Sequence, residues 1–195
     1  VSMGDETLMI NGGRLWDSLM EMAKIGPTAK GGSCRLALTD LDREARDLFV
    51  QWCREAGCSI SVDQMGNIFA QRPGTDPDLP PVVAGSHLDT QPTGGRFDGV
   101  YGVLTGLEVI RSLNDHGIQT RYPVEAACWT NEEGSRFAPA MVASGVFAGI
   151  YDLEYGLSRA DAEGRTMGQG LERIGYAGDQ PMGRPLHAYF EAHIE

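Results

Sequence analysis

Apolar residues recur every three or four positions in two N-terminal stretches and then give way to short continuous apolar runs. That change of period predicts helices first and buried strands after them. Leu15, Leu19 and Met22 lie at helical spacing behind Asn11, a good N-cap, and Gly26-Pro27 stops this helix near residue 24. Residues 31–38 are glycine-rich and irregular. Thr39-Asp40-Leu41-Asp42 opens a strongly periodic helix with Leu41, Ala45, Leu48, Phe49 and Trp52 on one face and Gly57 as its stop. Thr39 and Asp42 have capping-box spacing, although that box prefers Glu or Gln.

Residues 58–63 alternate as a strand, Met65-Gly66-Asn67 turns, and 68–71 returns as the hairpin partner. After a proline-rich loop over 72–81, the run Val82-Val83-Ala84-Gly85 reads as a buried strand, with His87 and Asp89 just past its end. A helix from about 99 to 116 turns Val103, Leu107, Val109, Ile110 and Leu113 inward and ends at Gly117. Residues 124–130 form a second buried strand leading into Asn131-Glu132-Glu133. Further helices are expected over 139–147, 158–163 and 166–174, the last with Thr166 and Gln169 at capping-box spacing. Residues 188–195 read as a final strand with Tyr189, Glu191, His193 and Glu195 on one face. The order of elements predicts an α/β fold, a mixed, mostly parallel sheet with helices on both faces. Such sheets bind ligands at the carboxyl ends of their strands, where His87, Asp89, Glu132 and Glu133 fall.

Charge narrows the choice of partner. A net charge of -11 and a sequence pI near 4.7 argue against nucleic acid or an anionic membrane, leaving a small molecule as substrate. No apolar run approaches the ~20 residues of a membrane span, and no basic-then-apolar leader opens the chain, so a cytoplasmic protein is expected. Cys34, Cys53, Cys58 and Cys128 contain no C-x-x-C pair and read as reduced thiols, Cys53 and Cys128 as small buried hydrophobes.

The remaining signal is chemical. His87 and Asp89, two apart, project from one face of an extended chain, so one residue can bind metal while the other steadies it. Asp98 follows a glycine-rich path; alone it reads as the N-cap of the next helix, and in company as a carboxylate able to bridge two metals. Glu132 and Glu133 diverge if the strand persists through them, leaving one carboxylate to bind metal and its neighbour to carry a proton. His193 is a further candidate ligand. Imidazole and carboxylate without thiolate suit catalytic Zn²⁺ or Mn²⁺ better than structural zinc. Arg96 and Arg136 could hold a substrate anion or pair with nearby acids, while His116 and His187 read as structural.

Gly85-Ser86-His87-Leu88-Asp89-Thr90-Gln91-Pro92-Thr93-Gly94-Gly95-Arg96-Phe97-Asp98-Gly99, with Asn131-Glu132-Glu133-Gly134-Ser135-Arg136-Phe137 and His193-Ile194-Glu195, closely resembles the M20 metallohydrolases. Within them it is similar to the amidase/hydantoinase-carbamoylase branch: N-carbamoyl-L-amino acid hydrolases, β-ureidopropionases and allantoate amidohydrolases. The Arg-Phe-Asp-Gly segment separates that branch from peptidases and deacylases. The resemblance implies a zinc-aminopeptidase-like catalytic domain, incomplete at its C-terminus, with residues 1–195 its N-terminal part and the lid/dimerisation domain of full-length homodimeric relatives outside this chain. It implies two divalent ions (Zn²⁺, Mn²⁺ or Co²⁺), with His87 and His193 on one, Glu133 on the other and Asp98 bridging. Asp89 would orient His87, and Glu132 would be the general base and acid. The implied reaction is hydrolysis of a carbamoyl or ureido C–N bond by metal-activated water. The alternatives are an M20 peptidase or aminoacylase, and a non-catalytic truncated metal-binding module.

Overall fold

The computed structural model of the chain describes residues 8–194. Helix α1 (Gly12–Met22) begins where the Asn11 side chain accepts the Arg14 amide, and it buries Leu15, Leu19 and Met22. Helix α2 (Asp40–Glu55) begins at Thr39, whose hydroxyl accepts the Asp42 amide. The return bond of a capping box is absent because the Asp42 carboxylate turns inward, accepting the Leu38 amide at 2.8 Å and Arg46 Nε at 2.9 Å.

The buried face of α2 keeps Ala45 and Phe49, with Leu48 and Trp52 partly buried against the core, and departs from the expected one at its start and in its polar residues. Leu41 is exposed, and Asp42, Ala45, Arg46, Phe49, Val50 and Cys53 face inward. Arg46, fully buried, also donates to the Gly66 carbonyl (2.8 Å) and to Thr130 Oγ1 (3.1 Å), so one guanidinium ties α2 to the hairpin turn and to the segment carrying the glutamates. Arg46→Met strands the Asp42 carboxylate in the interior. Urea denaturation should show a loss of about 3–5 kcal/mol, and a loss below about 1 kcal/mol would mean that the pair is dispensable.

Strands β1 (Ser59–Val62) and β2 (Ile68–Arg72) form the expected hairpin, and β3 (Val82–His87), α3 (Val100–Asp115) and β4 (Val124–Trp129) form a strand–helix–strand unit. With β5 (Ala188–Phe190) the sheet order is β1-β2-β4-β3-β5. It is mixed: β3 lies parallel to β4 and β5, whereas β1–β2 and β2–β4 are antiparallel. Helices α1, α2 and α3 bury one face through Leu19, Phe49, Leu104 and Leu107 against Ile68, Ala70, Ala126 and Cys128. The opposite face, Phe69, Val83, Ala127 and Trp129, is covered by Phe147 of α4 (Val142–Phe147) and by Leu186. Gly102 and Gly106, one turn apart, let α3 lie close on β3: a Cβ at Gly106 would press on the Ala84 carbonyl, and one at Gly102 on Ser86 and the Ala192 carbonyl. Close packing of α3 brings its N-terminus to the carboxyl end of β3.

Two expected elements differ. Residues 158–163 are not helical; the helix is α5 (Leu153–Leu157), capped by Asp152. The Asp161 carboxylate accepts the amides of Glu163 (3.1 Å) and Arg165 (2.9 Å), an alternative to helical bonding that holds 161–165 as a loop. The capping box at Thr166 and Gln169 does open α6 (Met167–Ile174). The last strand stops at Phe190 rather than running to 195, because Glu191 leaves the ladder to accept the Ser86 and Tyr189 hydroxyls; Glu195 lies outside the described residues. Cys53, Cys58 and Cys128 are buried free thiols, and burial raises their pKa, that of Cys128 to about 12. Among the described residues no helix is long and apolar enough to cross a membrane.

Candidate metal centre

The parallel pair β3 and β4 ends at His87 and Trp129, directly opposite each other in register, so the segments that follow emerge side by side. His87 is fully buried, and its Nδ1 lies 2.8 Å from the main-chain oxygen of Asp89. A carbonyl can only accept, so Nδ1 carries the ring proton and Nε2 keeps its lone pair for the site. The orienting group is thus the Asp89 carbonyl, with the carboxylate Oδ1 3.9 Å from Nδ1. That carboxylate instead accepts the amides of Glu132 (3.1 Å) and Glu133 (3.3 Å), clamping the end of β4 to the end of β3. Burial raises the Asp89 carboxyl to about 6, against the pull of His87 and these amide bonds.

His193 arrives from the segment after β5, its Nε2 3.1 Å from His87 Nε2. Asp98 Oδ1 lies 3.8 Å from His87 Nε2 and 3.6 Å from His193 Nε2, and Glu132 Oε2 lies 3.3 Å from His87 Nε2. Asp98 does not cap α3: the N-cap is Gly99, at φ +66° and without a side-chain cap bond, which leaves the Asp98 carboxylate to the site. The strand does not persist through the glutamates either. Asn131 takes a left-handed conformation (φ +53°), its Nδ2 donating to the Phe137 carbonyl at 2.7 Å, and the turn swings both carboxylates toward His87. Glu133 Oε2 accepts from Gln91 Nε2 at 3.1 Å, while its buried Oε1 has no hydrogen-bond partner among the described residues. Burial raises the Glu133 carboxyl, against the Gln91 hydrogen bond.

Two groups of ligand atoms result, His87, Asp98 and His193, and His87, Glu132 and Glu133, the atoms of each within 4.8 Å of one another. Among the described residues no Lys or Arg pairs with these carboxylates. Burial opposes a charge on His87, yet Asp89, Glu132 and Glu133 more than offset it, so the ring holds a proton more tightly than free imidazole. The same field attracts a cation. Two converging imidazole Nε2 atoms, carboxylates without a Lys or Arg partner among the described residues and an orphaned Glu133 oxygen fit a divalent ion with nitrogen and oxygen ligands.

The structure therefore gathers His87, Asp89, Asp98, Glu132, Glu133 and His193 in one place, beside an open cleft of ≈ 420 Å³ that Gln91, Gly94, Asp98, Glu132, Glu133 and His193 help to line. Reading by motif missed Gln91, two residues beyond Asp89, and missed why position 99 is glycine: a Cβ there would overlap the His87 ring. Arg136 is committed within the fold, whereas Arg96 is tied only through Nε. Arg136 pairs with Asp161 (3.0 Å) and the Ala37 carbonyl, and Arg96 donates to the Gly31 carbonyl. His116 bonds back to the Ser112 carbonyl, and the His187 ring packs tilted against Tyr122.

Residues 83–195 match the family described as "Peptidase family M20/M25/M40". The chain is 62% identical over 191 residues to an N-carbamoyl-L-amino-acid amidohydrolase of Rhizobium meliloti, covering 97% of this chain and 46% of that protein. It is 41% identical to an N-carbamoyl-L-amino acid amidohydrolase of Geobacillus stearothermophilus, covering 96% and 47% respectively. A crystal structure of a hydantoinase/carbamoylase family amidase from Burkholderia vietnamiensis superposes with a TM-score of 0.97 at 69% identity, covering 98% of this chain and 46% of that one. The chain thus spans about half the length of the curated relatives it matches.

Proposed function

The chain belongs to the peptidase family M20/M25/M40, and on that premise we propose that this protein is a metal-dependent amidohydrolase cleaving the carbamoyl (ureido) C–N bond of N-carbamoyl-amino acids or a related ureido compound. The observation that carries the proposal is the pair of imidazole Nε2 atoms 3.1 Å apart, framed by Asp98, Glu132 and Glu133. The substrate class follows the names of the relatives.

In this reading His87 and His193 would hold one divalent ion and Glu133 a second, with Asp98 a ligand in common. Bound there, such ions would acidify water and polarise the ureido carbonyl. The chain's own groups do the rest. The Asp89 carbonyl keeps His87 in the tautomer whose Nε2 faces the site. Gln91 restrains Glu133, whereas the Glu132 carboxylate has no hydrogen-bond donor among the described residues and is free to act. Glu132 takes the proton of the attacking water and returns it to the nitrogen that leaves the carbamoyl carbon. Residues 1–195 would form the N-terminal part of the catalytic domain of a cytoplasmic homodimer that acts on a small molecule, without nucleic-acid or membrane partners.

The test is ammonia release by the full-length protein, loaded with Zn²⁺, Mn²⁺ or Co²⁺, from N-carbamoyl-L-amino acids, N-carbamoyl-β-alanine and allantoate. Turnover of at least one is expected, and turnover of none overturns the proposal. Asp98→Ala should lose metal and activity together; full metal retention would remove Asp98 from the ligand set.

A further inference from the structure

Beneath the metal centre lies Arg35, a fully buried arginine that forms no ion pair among the described residues. Its bonds go to main chain. Nε donates to the Leu88 carbonyl at 3.1 Å and Nη1 to the Ile25 carbonyl at 2.7 Å, while Nη2 has no partner among the described residues. Its backbone is equally committed: the Arg35 amide donates to Thr90 Oγ1 at 2.7 Å, and the Thr90 amide donates to the Arg35 carbonyl at 2.9 Å. One residue therefore grips both neighbours of Asp89 from the inner side.

Asp89 is the hinge of the site. Its carbonyl sets the His87 tautomer and its carboxylate holds the amides of Glu132 and Glu133, so a rotation of the 88–90 segment would misalign three side chains at once. Burying a guanidinium without a bonded carboxylate is costly, and an aliphatic residue would fill the space without that cost. What an aliphatic side chain cannot do is bond the Leu88 and Ile25 carbonyls. Burial lowers the Arg35 pKa, and the charges of Asp42 and Asp89 oppose that fall, as expected for a cation placed for its neighbours.

We propose that the Arg35 side chain positions the metal centre: by holding the Leu88 carbonyl, beside the main-chain pairing of residue 35 with Thr90, it sets the Asp89 peptide, and through it the His87 tautomer and the Glu132-Glu133 turn. The inference rests on the metal-centre reading above for its consequence, though not for its geometry. Arg35 does not line the cleft and makes no hydrogen bond to a candidate ligand, so it acts through Asp89.

The test compares the full-length protein with Arg35→Met and Arg35→Lys. Lysine keeps the charge, but its single ammonium cannot reproduce the fork that serves two carbonyls. Two readouts are needed: ¹⁵N shifts of the His87 ring in the metal-free protein, in alkaline solution where the imidazole is neutral, and Zn²⁺ affinity by competition with a chelator. The expected result is an Nδ1–H tautomer in the parent protein, a mixture of tautomers in the folded variants, and a Zn²⁺ affinity about 10–100-fold weaker. A folded variant in which either readout is unchanged overturns the proposal. If Arg35→Met fails to fold, Arg35→Lys decides; failure of both to fold would assign Arg35 to stability alone and overturn it equally. Both readouts are independent of substrate, so absence of ureido hydrolysis with these shifts intact would sink the proposed function and leave this inference standing.

Discussion

Glu132→Gln is expected to lower kcat by about 10²–10⁴-fold while metal content stays at the parent level. Glutamine keeps the size and one oxygen of the side chain and removes its capacity to take a proton, so the variant separates proton transfer from ligation. The surroundings of the two glutamates motivate the assignment. Glu133 is tethered by Gln91 and has an oxygen sealed from solvent, as suits a ligand. Glu132 is about a quarter exposed and borders both the polar cleft and an adjoining apolar one lined by Trp129, Phe147 and Leu186, so water and substrate reach it. Its Oε2 is nevertheless only 3.3 Å from His87 Nε2, close enough to ligate. Metal analysis beside steady-state kinetics distinguishes the two: lost metal would make Glu132 a ligand and pass the proton to Glu133.

Gly99→Ala should cost the protein its metal and therefore its turnover, although position 99 bears no chemistry. Gly99 sits at φ +66° and ψ -44°, outside the regions open to residues with a side chain, and its added Cβ would occupy the space of the His87 imidazole. His87 is buried and cannot swing aside into solvent. The ring or the N-terminus of α3 must move, and Asp98 moves with the latter. The loss of affinity should exceed the about 10–100-fold typical when only a ligand's supporting partner is changed. Gly117→Ala is the control for a positive φ without the clash, since Gly117 has φ +61° and open space where the Cβ would go. Equal metal content in the two variants after dialysis would show that the clash with His87 is not decisive.

Local pattern made much of the fold legible. The β1–β2 hairpin, the buried runs of β3 and β4, the inward face of α3 and the capping box of α6 are properties of neighbouring residues. The misread elements are those in which a side chain bonds across the fold. The apolar pattern puts Leu41 inward, since polar residues ordinarily face out, but Asp42 and Arg46 satisfy each other and take the buried face. Asp161 diverts the backbone of a helix-forming stretch, and Glu191 draws the last strand out of its ladder.

The candidate site divides along the same line. The sequence by itself determined which groups are available: His87, Asp89, Asp98, Glu132, Glu133 and His193, in motifs whose residue types and family resemblance already point to metal-assisted hydrolysis. Tertiary structure alone decided how they are held: the Asp89 carbonyl rather than its carboxylate bonds His87 Nδ1, a left-handed Asn131 turns both glutamates inward, Gln91 bonds Glu133 and not Glu132, and Gly99 leaves room for the imidazole. The reason is physical. A motif records side-chain chemistry, whereas a main-chain carbonyl, a missing Cβ or a buried hydrogen bond acquires its role only when distant segments are brought within about 3 Å of each other.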